Sequence, residues 1–266
     1  MTDTIFSNIT GQMTETADGL TAPVPANWMQ GRTTFGGLSA AMLLRAVQMK
    51  HPDLPPLRSA LINFVGPVSE SPVITTEFLR RGRNVASIEA RVTINGQVVC
   101  TGSFAFGASQ TSGIRVDATG PSAPRPEDTE PLIPAAAASF APKFHHNFEL
   151  LLIEGDRPMS GSDRGYIRAW ARHRDPASHN GIVPLLCLAD ILPPAVFPLF
   201  KRLGANSSMT WICNFLDDAP HTKDGWWQVE TSLTAARDGY SSQVMRMWNS
   251  DGQLVVDGMQ SVVIFV

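Results

Sequence analysis

The chain has 266 residues, 43% of them hydrophobic and 17% charged, enough apolar material for one large domain or two small ones. A formal net charge of −3 leaves no basic surface of the kind that nucleic acid or an anionic membrane would need. Three cysteines, Cys100, Cys187 and Cys213, lie far apart without metal-binding spacing, which fits a reducing, cytoplasmic setting.

The opening MTDTIFSNIT lacks a basic segment and an apolar segment, so no signal peptide is expected. No apolar run reaches membrane-spanning length. Phe6 to Gly11 and Leu20 to Val24 read as short strands, with Ala17-Asp18-Gly19 as the turn. Phe35-Gly36-Gly37 then leads into LSAAMLLRAVQMK, a helix with small residues between Leu38, Met42 and Val47, and with Lys50 and His51 at its end. Four strand-like runs follow, Ser59–Val65, Pro72–Arg80, Val85–Ile94 and Gln97–Phe106, the last two joined by Asn95-Gly96, a two-residue hairpin signal.

Residues 107–143 change character. They are rich in Pro, Ala, Ser and Thr and read as a linker over the surface that joins two units. Strands return at Asn147–Ile153 and Tyr166–Arg172. Next comes GIVPLLCLADILPPAVFPLF, Gly181 to Phe200, apolar on every side and therefore, as a helix, buried all round. Asn180 is placed to cap it, and Pro193-Pro194 stop it. Its one charge, Asp190, has two readings: a buried carboxylate capping a neighbouring turn, or a catalytic carboxylate on a central helix. Ser208–Leu216, Trp226–Ala235, Gln243–Trp248 and Gln253–Val266 complete the strands.

The two halves repeat. Gly96-Gln97 through Gly102 lines up with Gly252-Gln253 through Gly258 at an offset of 156, Arg91 with Arg246 at 155, and Asn63-Phe64 with Asn214-Phe215 at 151. Two strands, a helix and four strands, used twice, describe an α+β double hotdog. Its two sheets are expected to join edge to edge. The units are expected at 1–108 and 144–266, with 109–143 as linker.

At these residues the sequence resembles the acyl-CoA thioesterase II family of the thioesterase-like superfamily, over nearly the whole chain. The resemblance rests on Phe35-Gly36-Gly37, on Ala60 through Pro67, on Arg80 through Ser87 and on Asn95-Gly96-Gln97. In the second half it rests on Leu188-Ala189-Asp190, Ser208-Met209-Thr210-Trp211 and Gln260. Val65-Gly66-Pro67 departs from the family pattern, which carries an arginine there. The resemblance implies hydrolysis of an acyl-CoA to free acid and CoA, without a cofactor or a metal. It also implies a triad of an Asp, a Ser or Thr, and a Gln that holds the attacking water. Asp190 and Gln260 match; the hydroxyl falls within Asn206-Ser207-Ser208, with Ser207 and Ser208 favoured because a hydroxyl orients water.

The chemistry suits such a set. A carboxylate in apolar surroundings has its pKa lifted toward working pH, and an amide and a hydroxyl orient the water. Gly36-Gly37 at a helix N-terminus offers N–H donors for the oxyanion, or else serves only as a tight helix start. Counting from each helix start puts Ala46 where Asp190 stands, and the repeat puts Phe104 where Gln260 stands, so one working site per chain is expected. Histidines at 145, 146 and 179 read as loop residues, because His179-Asn180-Gly181 does not reproduce a hotdog dehydratase signature. Arg80, Arg81 and Arg83 are either a solvated hairpin or contacts for CoA phosphates. A catalytically weak acyl-CoA-binding or structural hotdog protein is the alternative function, and a hydratase comes third. Trp226, Trp227 and Trp248 suggest exposed apolar area and hence a homo-oligomer, most simply a dimer of double hotdogs.

Overall fold

The alternating runs of the sequence form strands that join into a single antiparallel sheet, and two central helices lie against its inner face. The computed structural model describes residues 3–70, 72–202 and 204–266. The first half contains α1 (Phe6–Gly11), β1 (Thr14–Thr16), β2 (Gly19–Thr21), a small ribbon of β3 (Met29–Gln30) with β4 (Thr33–Thr34), and α2 (Gly36–Lys50). It continues through β5 (Leu57–Phe64), β6 (Val73–Arg81), β7 (Val85–Ile94) and β8 (Gln97–Gly107). The second half holds β9 (Phe148–Gly155), β10 (Tyr166–His173), α3 (Ile182–Leu188), β11 (Ala205–Phe215), β12 (Trp227–Arg237), β13 (Tyr240–Trp248) and β14 (Leu254–Phe265).

Twelve strands form the sheet in the order β1-β2-β6-β7-β8-β5-β11-β14-β13-β12-β10-β9. The halves meet edge to edge at β5 and β11, which removes two open strand edges. At the centre of that pairing Leu61 lies opposite Ile212, with Asn63 opposite Thr210 and Ser59 opposite Asn214. Adding 151 to 59, 61 and 63 gives 210, 212 and 214, so the pairing maps onto itself and a pseudo-two-fold passes between Leu61 and Ile212. This is the double hotdog expected from the repeat.

The registers agree with the repeat elsewhere. Phe104 faces Ala60 on β5 and Ile88 on β7. Gln260 faces Trp211 on β11 and Gln243 on β13. The offsets 156, 151 and 155 carry each member of the first set onto its counterpart in the second. The hairpin between β7 and β8 turns at Asn95 (φ 50) and Gly96 (φ 75), two consecutive left-handed residues that match the strand twist.

Helix α2 is buried along most of its length and packs against β6, β7, β8 and α3, the small residues Ser39, Ala40 and Ala41 allowing close approach. Residues 119–124 of the segment between β8 and β9 pack on the second half. Thr119 bridges Gln253, Pro121 and Ser122 carbonyls accept from Arg168 Nη1, and Pro124 O accepts from Trp170 Nε1.

Four expectations need correction. Phe6–Gly11 is a helical turn and a half, not a strand: Phe6 and Ile9, three apart, both point into the core, and Thr10 bonds back to the Phe6 carbonyl. Helix α3 ends at Leu188, well before Pro193, because the Ile191 N–H tightens onto Leu188 O in a 3₁₀-type turn. Asn180 does not cap α3; its Oδ1 accepts the Thr222 N–H instead. Trp227 and Trp248 are buried, so they add no exposed apolar area for an interface.

Candidate active site

Asp190 stands just past the end of α3, in the turn that follows Leu188. Across the boundary between the halves it meets the start of α2. A Cβ added to Gly36 would lie 2.6 Å from Asp190 Oδ2 and 3.1 Å from the Phe64 ring, so only glycine lets the backbone come this near the carboxylate. A Cβ on Gly37 would fall into the Cys187 carbonyl, and this fixes how closely the two helices cross. The structure thus brings together Asp190 and Gly36-Gly37, which lie more than 150 residues apart in the chain.

Gln260 closes the third side. It sits on the inner face of β14, 3% exposed, and its Nε2 donates to Asp190 Oδ1 at 2.8 Å. Its Oε1 in turn accepts from Gln243 Nε2 at 2.8 Å, and Gln243 Oε1 accepts the Ala195 N–H at 2.6 Å. The neighbour of Gln260 on β11, Trp211, is buried as well. Burial pushes the Asp190 pKa up to about 7, while the Gln260 amide and the Gly37 N–H pull against it by favouring the carboxylate. Asp190 as a whole residue is half-buried, while its carboxyl group is desolvated.

The two serines separate. The chain bulges between Ser208 and Thr210, which sets Ser208 opposite the buried Val262, on the same inner face as Gln260 and one inward position further along. Ser207 faces the other side, is exposed, and its Oγ donates to the Ser208 carbonyl. Among the described residues neither hydroxyl bonds to Asp190 or Gln260. Asn206 lies opposite Ile264, again on the inner face.

The first half has no matching chemistry. Ala46 is fully buried in α2, and Phe104 is a core ring at 1% exposure. Burial holds His145 and His173 neutral, each pushed down to about 4, and His179 bonds to the His173 carbonyl. No group of three or more His, Cys, Asp or Glu side chains placed to hold a metal ion occurs among the described residues. Arg81 and Arg83 line a surface cavity of about 490 Å³ with Asp53 and Leu54, at the far end of α2. Fifteen residues of helix place that end roughly 20 Å from Gly36, so the structure does not bring these arginines to Asp190.

Gln243 was not singled out by the sequence, where it reads as a polar strand start. Its signal was available: Ser241, Met245 and Met247, on the same side of the strand, are buried, so alternation turns Gln243 inward as a polar residue in a core row.

Residues 121–264 match the family model of the acyl-CoA thioesterase C-terminal domain, and residues 24–107 match that of the acyl-CoA thioesterase N-terminal domain. No curated protein matches the sequence. Among solved structures, a conserved protein of unknown function with a hot dog fold from Alicyclobacillus acidocaldarius is 23% identical over 98% of each chain, with a TM-score of 0.85. An acyl-CoA thioesterase II, TesB2, from Mycobacterium marinum is 19% identical over 97% of each chain, with a TM-score of 0.75. The tesB protein of Mycobacterium avium subs paratuberculosis is 16% identical over 96% of each chain, also with a TM-score of 0.75. At these identities the likeness to the solved structures is one of fold.

Proposed function

The chain belongs to the acyl-CoA thioesterase family, and on that premise we propose that it hydrolyses an acyl-CoA to free acid and CoA, with Asp190 activating the water. The observation that carries this reading is a carboxyl group with a pKa near 7, held by Gln260 against the N-terminus of α2. A base of that pKa is half ionised at neutral pH and can take a proton from water there.

In this reading, water sits between Asp190 and the second N–H of Gln260. Asp190 takes a proton as the water oxygen bonds to the thioester carbonyl carbon. The carbonyl becomes an oxyanion at the start of α2, where the Gly36 N–H and the positive end of the helix dipole stabilise it, while the Gly37 N–H stays on the Asp190 carboxylate. When the tetrahedral centre collapses, the carbon–sulfur bond breaks and the proton on Asp190 passes to the departing CoA thiolate. Ser208, on the inner face, is the serine placed to reach substrate or water; Ser207 is turned away. The units at 1–108 and 144–266, with 109–143 as the linker, are part of the same proposal. So is a homo-oligomer, now through the outer face of the sheet, where Leu61, Ile212 and Met259 lie side by side across the pseudo-two-fold.

A catalytically weak acyl-CoA-binding protein is favoured by one observation: among the described residues no hydroxyl bonds to Asp190 or Gln260. Release of free thiol from acyl-CoAs of graded chain length separates the two. The hydrolase turns over at least one of them in an Asp190-dependent way, and a binding protein saturates without turnover.

A further inference from the structure

A primary amide has nearly the same shape at its oxygen and nitrogen ends, so something must decide which end of Gln260 meets Asp190. The hydrogen-bond chain behind Gln260 supplies the answer. The Ala195 N–H follows Pro193-Pro194 and is held in a turn, and a backbone N–H can only donate. It therefore holds Gln243, 1% exposed, with its oxygen toward Ala195. The NH₂ of Gln243 is then left to face Gln260 Oε1, and that leaves the NH₂ of Gln260 for Asp190. A reversed Gln260 would set a carbonyl oxygen against the carboxylate and favour its protonated, inactive form.

We infer that Gln243 is a positioning residue for hydrolysis: it relays the fixed backbone donor at Ala195 to Gln260, so that Gln260 donates to Asp190 in its proton-accepting state. The inference rests on Asp190 being the base. The first half offers a contrast, since the equivalent row is Ile88, Phe104 and Ala60, with no amide to orient. The titratable groups that sense Asp190 are Cys187 on α3, Cys100 on β8 and Cys213 on β11, all buried thiols pushed up and neutral near pH 7. The neighbouring positions on α2, β13 and β14 are glycines and glutamines that do not titrate. A change in the Asp190 titration therefore reports on the amides.

The test follows the Asp190 carboxyl by ¹³C NMR and kcat/KM against pH, in the wild type and in Gln243→Met, Gln260→Ala and the double variant. Gln243→Met should raise the Asp190 midpoint by about one pH unit, a tenfold change in proton affinity. The pH limb of kcat/KM should move with it, and kcat should fall about tenfold with KM within about twofold of wild type. In the Gln260→Ala background Gln243→Met should add no further shift. A folded Gln243→Met chain with wild-type midpoint and kcat, or an equal shift in both backgrounds, overturns the inference. Should that variant not fold, the wild type still decides: the side-chain amide protons of Gln243 and Gln260 must titrate together with Asp190, and a Gln243 amide indifferent to that titration overturns the relay. The NMR titration needs no turnover, so absence of thiol release by the wild type would sink the hydrolase reading separately.

Discussion

The two halves of the sheet share their registers and differ in what the central row carries. In the second half that row is Trp211, Gln260 and Gln243; in the first it is Ala60, Phe104 and Ile88. The helices differ in the same sense. Helix α2 runs fifteen residues and keeps Ala46 in its buried face, whereas α3 stops after seven and releases Asp190 into a turn. A duplicated scaffold thus holds one set of polar groups, and the half without them supplies the glycine pair that the carboxylate faces. The lesson is that pseudo-symmetry of backbone does not carry symmetry of chemistry; two or three side chains per copy decide it.

Substitutions at matched positions test that contrast, here from the largest expected free-energy effect downward. Phe104→Ala should cost about 3–5 kcal/mol of stability by leaving a cavity, with the enzyme that remains folded still active. Urea unfolding and thiol release on the same preparation check it, and loss of all activity from a well-folded variant would mean the first half carries chemistry after all.

Next is the pH dependence of stability. Asp190 has its pKa raised by burial from 3.8 to about 7, so between about pH 4 and 7 the folded chain binds more protons than the unfolded one. Stability must therefore fall as pH rises through that window and level off above it, by up to about 4 kcal/mol. Asp190→Asn, which still offers Gln260 an acceptor, should remove this slope. Comparing the urea midpoints of the two chains at pH 5 and pH 8 reads the difference directly, and parallel pH curves would refute the buried, neutralised carboxyl.

Catalysis sharpens the comparison further. Asp190→Asn should fold and lose on the order of 10²-fold or more in kcat, and Gln260→Ala should also impair turnover, since the buried carboxylate loses its donor. Activity of the wild type should rise with pH through about 7 as Asp190 ionises. A folded Asp190→Asn chain with full turnover would remove Asp190 from the mechanism.

The smallest effect compares the two helix starts. Gly181→Ala places a Cβ in ordinary contact, 3.7 Å from Pro184, but forces alanine to φ 108 and ψ 154, a region open essentially to glycine alone, which should cost roughly 1–3 kcal/mol of stability and leave kcat near wild type. Gly36→Ala drives its Cβ to 2.6 Å from Asp190 Oδ2 and should depress activity more than stability. Equal losses of activity at both glycines would break the assignment of the site to one end of the pair.

The sequence by itself determined the architecture. Alternation located the ten longer strands, β5 to β14, Asn95-Gly96 marked a hairpin, and the drifting offset of 151 to 156 placed Phe104 and Gln260 at equivalent positions that the sheet registers then share. These are local or periodic properties, and period two and simple self-similarity encode them directly. The tertiary structure decided what periodicity cannot hold. Phe6–Gly11 is helical because Phe6 and Ile9 find a common core, and α3 ends early although its apolar run continues. Ser208 rather than Ser207 faces inward because of a bulge at Met209, which a count by twos cannot foresee. The chain of bonds from Ala195 through Gln243 and Gln260 to Asp190 joins residues 48, 17 and 70 positions apart. Desolvation of Asp190 and the orientation of its amide partners exist only once those distant segments are packed together, because each is a property of a neighbourhood and not of a residue.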